Sequence, residues 1–275
     1  MPGYVILGAG YTGSRVAQAL ERRGERVVSL RATAGDANRF DVLDASTHAH
    51  VSRCVEEGAR VLYSLPVLRT QEGYQATAPL VAPLLRRAAR VVYLSTTGVY
   101  GETHLVDEHT PPAPRHERER LRVDEERILR EGAWSTLVLR PAAIYGPGRG
   151  VHESMLQRRY RLPGDGRNVI SRIHVDDLAA HCLAALDARL TGCFPVADEE
   201  PCPAGEMAAF CAELLGVPMP EFTEHLPGDD TRRANRRVDG SAVRRELGIR
   251  LLYRGYREGV PASLAAGRES TERLR

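Results

Sequence analysis

The 275-residue sequence contains no lysine, because all 38 of its basic residues are arginine. Mechanisms that depend on a catalytic lysine are therefore excluded. The sequence has no apolar run of about 18 residues, the length needed to cross a bilayer, and no leader-type segment at its N-terminus. Its five cysteines form no C-x-x-C pair, so we expect free thiols in a reducing compartment, without a disulfide framework or a metal site.

The charge of the chain is close to balanced, with a formal net value of +2. This balance gives no reason to expect a nucleic acid or a membrane surface as a partner. The basic stretch TRRANRRV (231–238) is interpreted as a solvated face or as a contact with an acidic ligand. We expect a cytoplasmic protein, monomeric or homodimeric, with a small-molecule substrate.

The pattern of residues 3–30 predicts a strand, a glycine turn, a helix and a second strand. The turn reads GAGYTG (8–13). Gly8 allows a tight turn, Gly10 leaves room for a pyrophosphate, and Gly13 lets the helix approach the sheet. The free N–H groups and the positive dipole end of the helix favour that anion. We predict a dinucleotide site whose turn residues are Gly8, Gly10, Tyr11, Thr12 and Gly13.

Strand and helix signals go on alternating, which predicts an α/β fold with a doubly wound parallel (Rossmann) sheet. Further strands are predicted at 61–66, 91–95 and 135–139, helices at 74–90 and 116–131, and a short third strand or its exit loop at 40–44. From residue 147 frequent Gly and Pro residues predict a small region that caps a substrate pocket. We therefore expect a Rossmann domain at 1–146 and a mainly capping region at 147–275, with 171–198 returning to the core.

The end of the second strand bears on the choice of nucleotide. Arg31 stands about eighteen residues after Gly13, where NAD-binding proteins place an acid for the ribose 2′-hydroxyl and where an arginine suits a 2′-phosphate. We therefore expect NADP or NAD as cofactor, with NADP favoured.

Four later segments resemble one family. They are STTGVYG (95–101), LRPAAIYGPGR (139–149), RIHVDDLA (172–179) and the strand and turn at 194–203. Together they resemble the extended short-chain dehydrogenases of the NAD-dependent epimerase/dehydratase group, in particular its atypical YeeZ-like members, which carry GxGxxG. The resemblance implies an NAD(P)-binding oxidoreductase or epimerase with a Rossmann fold.

The resemblance also assigns positions. Asp41 and Val42 match residues that meet the adenine, and Leu65 and Pro66 match the strand end that runs along the cofactor. Thr96 matches the residue that hydrogen-bonds the reacting oxygen. Further cofactor contacts are implied at Ser95, Pro141 and Ile144.

The chain departs from the family at its Y-x-x-x-K pair. Matching Glu126 to the family's usual glutamate places Arg118 at the tyrosine and Arg122 at the lysine, which leaves Arg122 as a candidate contact of the ribose or nicotinamide. Arginine keeps its proton, so neither residue can act as a base. Two interpretations stay open: an enzyme whose acid or base has moved, or a non-catalytic NAD(P)-binding sensor or scaffold.

Candidates for a moved acid or base are Tyr100, Tyr145 and His116, although the family pattern favours packing roles for the tyrosines. For His174 we expect a structural hydrogen bond. Asp176 and Asp177 are expected to be an N-cap and a first-turn acid of a helix. Four arginines are compatible with an anionic substrate: Arg149, Arg158, Arg159 and Arg172.

Overall fold

A computed structural model describes residues 3–33, 38–224 and 231–272. Its centre is a parallel sheet of six strands: β1 (Tyr4–Leu7), β2 (Val27–Leu30), β3 (Ala59–Tyr63), β4 (Ala88–Leu94), β5 (Ser135–Pro141) and β6 (Gly192–Val196). They lie in the order β6-β5-β4-β3-β1-β2. The order turns back on itself between β1 and β3, which is the switch point where ligands bind in such sheets. The predicted fold class is confirmed.

Helices cover both faces of the sheet. They are α1 (Gly13–Arg22), α2 (His48–Cys54), α3 (Ala78–Val81), α4 (Glu117–Arg130), α5 (Val151–Leu156), α6 (Val175–Asp187), α7 (Ala204–Leu215), α8 (Ser241–Leu247) and α9 (Tyr256–Glu272). Side chains alternate across β1, so Ile6 packs with α1 and α6 whereas Val5 and Leu7 pack with α2, α3 and α4. The near-continuous apolar strands reflect burial on both faces.

A smaller layer lies beyond the carboxyl ends of the strands. Its core joins apolar residues of α5, α7 and α9. Short strand pairs connect this layer: Ala143–Tyr145 with Arg172–His174, Leu162–Pro163 with Phe222–Thr223, Val169–Ile170 with Cys202–Pro203, and Leu105–Val106 with Arg237–Val238. A hairpin of Leu68–Thr70 and Gly73–Gln75 lies beside α4.

Of the two alternatives for the segment at 40–44, the structure shows a loop without strand pairing. Among the described residues just before it, one parallel bridge joins Arg31 and Arg39. The prediction for the next helix needs correction. The helix predicted at 74–90 is reduced to α3 and one 3₁₀ turn, Ala82–Leu85. Prolines at 79 and 83 explain the reduction, because each lacks the N–H that a longer helix would require. Within the described ranges, no helix has the length and apolar character needed to cross a membrane.

Candidate functional site

The glycine turn joins β1 to α1 at the switch point, and its three glycines differ in their surroundings. Gly8 has a φ of +88°, and a Cβ there would lie 2.8 Å from the Ser64 carbonyl oxygen. A Cβ on Gly13 would lie 2.5 Å from the carbonyl oxygen of Gly8. A Cβ on Gly10 would meet nothing nearer than 4.0 Å. The fold itself therefore requires glycine at positions 8 and 13, whereas the open space at Gly10 fits an approaching ligand.

The first turn of α1 borders that space. Thr12 is the N-cap of the helix, and its side chain makes no capping hydrogen bond. The helix also has no acidic residue in its first turn. Its amide N–H groups and positive dipole end are thus without a built-in anion, which is the arrangement that a pyrophosphate fits. Tyr11, also in this turn, is half-buried and donates its hydroxyl to the Pro147 carbonyl oxygen at 3.0 Å.

Two arginines flank the end of β2. Arg31 is exposed, and its bridge to Arg39 places the two residues side by side on neighbouring backbone segments. Arg39 pairs with Asp44 at 3.1 Å. The Asp41 carboxylate accepts the Leu43 amide at 3.0 Å. Sequence reasoning missed Arg39, because no periodic pattern indicates that the chain returns to Arg31 at that residue.

Val42 and the ends of β3 to β5 supply the other predicted cofactor contacts. Val42 is buried in the loop after β2, and Pro66 is exposed just beyond β3. Pro141 ends β5 in a buried position, and Ile144 is half-buried in a short strand that pairs with Ile173. The structure thus brings these residues to the carboxyl edge of one sheet, where the family places its cofactor.

Ser95 and Thr96 follow β4 and differ in their hydroxyl groups. Ser95 is buried and donates its hydroxyl to Glu126 at 2.6 Å, so its proton is committed to that carboxylate. The Thr96 hydroxyl oxygen accepts the Gly98 amide at 3.0 Å. Its own proton is therefore free to be donated to a substrate oxygen.

Arg118 and Arg122 lie one turn apart on α4, so they share a face of the helix. Arg122 is buried, and its Nη1 donates to the Leu65 carbonyl oxygen at 3.1 Å and to the Tyr93 hydroxyl at 2.6 Å. Burial acts to lower the pKa of Arg122, but Tyr93 and Glu125 outweigh it and hold that pKa above its ordinary value. Its Nε is buried without a partner among the described residues.

Arg118 stands nearer the start of α4, which runs antiparallel to the strands. It is half-exposed, and its guanidinium has no ion pair or hydrogen bond within the ranges that the structure describes. The start of α4 lies at the carboxyl edge of the sheet, so Arg118 is closer to the solvent side of the cleft than Arg122.

Two adjacent carboxylates on α4 hold this region together. Glu125 accepts the Tyr93 hydroxyl and the amide of Thr77, both over short distances. Glu126 accepts two donors from Arg140, at 3.0 and 2.6 Å, besides the Ser95 hydroxyl. The networks leave the helix rigidly positioned beside the strand ends. The sequence analysis used Glu126 only to align the helix with the family and did not single out Glu125.

The tyrosines that could replace the acid or base are buried. Tyr100 accepts a hydrogen bond from Arg140 at 3.1 Å, and burial raises its pKa. Burial also raises the pKa of Tyr145, which lies in the core of the smaller layer. His116 is the half-exposed N-cap of α4, and its amide donates to Glu119 at 3.2 Å. The two phenols are therefore removed from solvent, whereas His116 is partly accessible at the start of α4.

The start of α6 differs from the prediction, because the N-cap of the helix is not an aspartate. Its N-cap is His174, whose ring accepts the Asp176 amide at 3.2 Å, so the structural hydrogen bond predicted for this histidine is present. Both aspartates lie in the first turn. Asp176 pairs with Arg15 at 3.0 Å, and Asp177 accepts two backbone amides from the chain beyond α8. Burial lowers the pKa of His174 to about 4, so it is neutral at pH 7.

The four arginines named for an anionic substrate are scattered. Arg172 is buried and donates to the Ile170 carbonyl oxygen at 2.8 Å and to Cys202, so it does not face a substrate. Arg158 and Arg159 are exposed after α5. Arg149 lies against the ring of Tyr11. Within the described ranges no group of three or more His, Cys, Asp or Glu is placed to hold a metal ion.

The doubly wound sheet and the glycine turn at its switch point define a dinucleotide-binding Rossmann protein. Residues 4–192 match the NAD dependent epimerase/dehydratase family, and the chain belongs to it. Protein YeeZ of Escherichia coli (strain K12) is 26% identical over 92% of this chain and 97% of its own length.

Two further similarities differ in extent. A 3-diazoavenalumate denitrifying reductase of Streptomyces sp is 37% identical over 101 residues, which is 34% of this chain and 33% of that protein. The structure of MoeE5, solved in complex with UDP-glucose and NAD, matches this chain with a TM-score of 0.81 and 20% sequence identity. The match covers 98% of this chain and 100% of that chain. The last similarity shows a shared fold.

Proposed function

We propose that the chain binds NADP or NAD and works as an oxidoreductase or epimerase on a small molecule, with an acid or base other than the family's Tyr-x-x-x-Lys pair. The observation that carries this proposal is the glycine turn. At Gly10 the protein itself leaves room for a side chain, yet the residue is glycine, beside a helix N-terminus without a built-in anion. A ligand pyrophosphate explains both features.

The neighbouring residues fit the rest of a dinucleotide. Asp41 and Val42 would lie by the adenine, and Leu65, Pro66, Pro141 and Ile144 along the nicotinamide half. Arg122 would stay beneath the ribose, because it already holds the Leu65 carbonyl oxygen. When bound, the nicotinamide would supply the hydride acceptor or donor. MoeE5 was solved with NAD, which supports the cofactor class.

NADP is the preferred form in this proposal because of Arg31 and Arg39. Two guanidinium groups on bridged residues offer a 2′-phosphate charge-assisted hydrogen bonds, and Asp44 neutralises only Arg39. Arg31→Asp should lower the NADP/NAD affinity ratio at least about tenfold, since an anion would replace the phosphate's partner. Fluorescence titration with NADPH and NADH measures the ratio, and an unchanged ratio would show that Arg31 points elsewhere.

The substrate would be small and anionic. Thr96 can donate its hydroxyl proton to a reacting oxygen, and Arg118 adds a permanent positive charge at the mouth of the cleft. Neither residue can take up a proton. In the enzymatic proposal these two residues would therefore orient the substrate, and the proton would be moved by another group.

The second candidate function is a non-catalytic sensor or scaffold that keeps the nucleotide. Burial of Tyr100 and Tyr145 favours it, because both phenols are removed from the cleft. A positioned general acid or base contributes about 10²–10⁴ in rate, so its loss would leave mainly binding and orientation.

A double variant separates the two functions. Arg118→Tyr with Arg122→Lys returns an ionisable phenol and a cation to the positions that the resemblance assigns to them. The sensor interpretation predicts weak or no NAD(P)H consumption by the wild type on ordinary short-chain dehydrogenase substrates, and a measurable gain in the double variant. Robust wild-type turnover at neutral pH, lost on changing Tyr100, Tyr145 or His116, would reveal a relocated acid and contradict the sensor interpretation.

A further inference from the structure

Arg149 reaches the glycine turn from the capping side of the cleft. It stands in the loop 146–150, where Gly146 and Arg149 exchange backbone hydrogen bonds of 2.9 and 3.0 Å. The guanidinium carbon of Arg149 lies 5.3 Å from the centroid of the Tyr11 ring, within range of a cation–π contact. Tyr11 is the central residue of the turn, between Gly10 and Thr12. A cation from the cap loop is therefore held beside the turn.

Close packing fixes the distance between this loop and the turn. The Tyr11 hydroxyl donates to the Pro147 carbonyl oxygen at 3.0 Å. A Cβ on Gly146 would lie 2.7 Å from the Tyr11 hydroxyl oxygen, so only glycine allows the approach. Burial raises the pKa of Tyr11 to about 12, and the phenol consequently stays a neutral donor. The loop and the turn thus form one unit.

Arg149 differs from the second arginine on the same ring. Arg15 lies 4.4 Å from the Tyr11 centroid, but Asp176 neutralises it. Arg149 is exposed and makes no ion pair or side-chain hydrogen bond with any residue that the structure describes. The acid that follows it, Glu153, is engaged by the Gly148 amide at 3.2 Å. The turn therefore has one uncommitted guanidinium next to it.

We propose that Arg149 binds the pyrophosphate of the dinucleotide, so that the loop 146–150 clamps the cofactor from the capping side. The proposal rests on the dinucleotide binding argued above. A guanidinium offers its N–H donors as a planar fork that matches phosphate oxygens. The N-terminus of α1 would hold the anion from the sheet side, and Arg149 from the cap side.

The test compares cofactor binding by the wild type, Arg149→Gln, Arg149→Lys and a matched control. Arg189→Gln is the control, because Arg189 is exposed at the opposite, amino-terminal edge of the sheet and its loss changes the net charge equally. ADP-ribose, which has the pyrophosphate but no nicotinamide, is titrated calorimetrically beside NADPH. Thermal unfolding without ligand checks that each variant folds.

Arg149→Gln should weaken both ligands by about tenfold at low salt, Arg149→Lys should weaken them less, and Arg189→Gln should leave them unchanged. Raising the salt concentration should reduce affinity less in Arg149→Gln than in the wild type, since one ionic contact is already gone. Wild-type affinity and salt dependence in Arg149→Gln would overturn the clamp while leaving dinucleotide binding intact. Failure of the wild type to bind either ligand would instead overturn the proposed function.

Discussion

At the scale of single residues, the glycine turn separates structural from ligand-related demands. Gly8 and Gly13 are required by the approach of protein backbone, because a Cβ at either would lie under 3.0 Å from a carbonyl oxygen. Gly10 meets no such neighbour. The same motif therefore contains two positions where substitution should affect stability and one where it should affect binding.

Gly13→Ala should destabilise the fold by about 1–3 kcal/mol, since the new methyl must displace the Gly8 carbonyl or the helix. Gly267→Ala is the matched control. A Cβ on Gly267 finds open space within α9, so alanine there should be neutral or stabilising by about 0.5–1 kcal/mol. Urea unfolding followed by circular dichroism measures both changes. Equal effects of the two variants would show that α1 does not pack as closely as described.

At the scale of elements, one acid within α4 and one at its C-cap form ion pairs in different surroundings. Glu126 is buried with Arg140, at an N–O distance of 2.6 Å. Glu131 pairs with Arg127 in solvent. A buried pair that loses one partner leaves an uncompensated charge, whereas an exposed pair has little to lose.

Glu126→Ala should therefore lower the free energy of unfolding by about 3–5 kcal/mol. Glu131→Ala should change it by less than about 0.5 kcal/mol. Both values come from chemical denaturation at neutral pH. A small effect at Glu126 would mean that water or another group compensates Arg140, contrary to the burial of the pair.

The helices and strands also differ in how well the sequence predicts them. The unit β1, turn, α1 and β2 could be predicted because apolar periodicity and glycines are local signals. The helix at 116–131 was placed within a residue at either end. The length of the helix at 74–90 was overestimated. The apolar residues there have helical spacing, but the two prolines interrupt the helix.

Long-range contacts at the candidate site could not be predicted. Nothing local indicates that Arg39 returns beside Arg31, that Arg149 meets Tyr11, or that the Ser95 hydroxyl is bound to a helix. Such contacts depend on how distant segments pack, and sequence spacing does not encode them. The resemblance located the strand ends correctly but gave no information on which side chains there are already occupied.

At the scale of the whole molecule, Asp198 stands where the chain leaves β6 for the smaller layer. It is 3% exposed, its amide donates to the Arg172 carbonyl oxygen at 2.7 Å, and its Oδ2 has no partner among the described residues. Burial raises the pKa of Asp198 from 3.8 to about 7. The folded chain thus holds a proton over a pH range in which the unfolded chain has lost it.

The stability that this proton confers is complete below about pH 4 and is lost as the pH rises to 7. Asp198→Asn should remove this dependence and exceed the wild-type free energy of unfolding above pH 7 by about 4 kcal/mol. Histidines that titrate in the same range cancel in the difference between the two proteins. Asp124→Asn, at an exposed and unpaired acid of α4, should show no such gain. Parallel stability–pH curves for the wild type and Asp198→Asn would contradict the burial of this carboxyl group.

The most direct test of the central claim is calorimetric titration of the wild type and Gly10→Val with NADPH and NADH. Because a Cβ at Gly10 meets no protein atom nearer than 4.0 Å, the variant should fold with near wild-type stability. Its side chain should occupy the pyrophosphate position and abolish binding that the wild type shows. Equal affinity in the two proteins, or no binding by the folded wild type, would contradict a dinucleotide site at this turn.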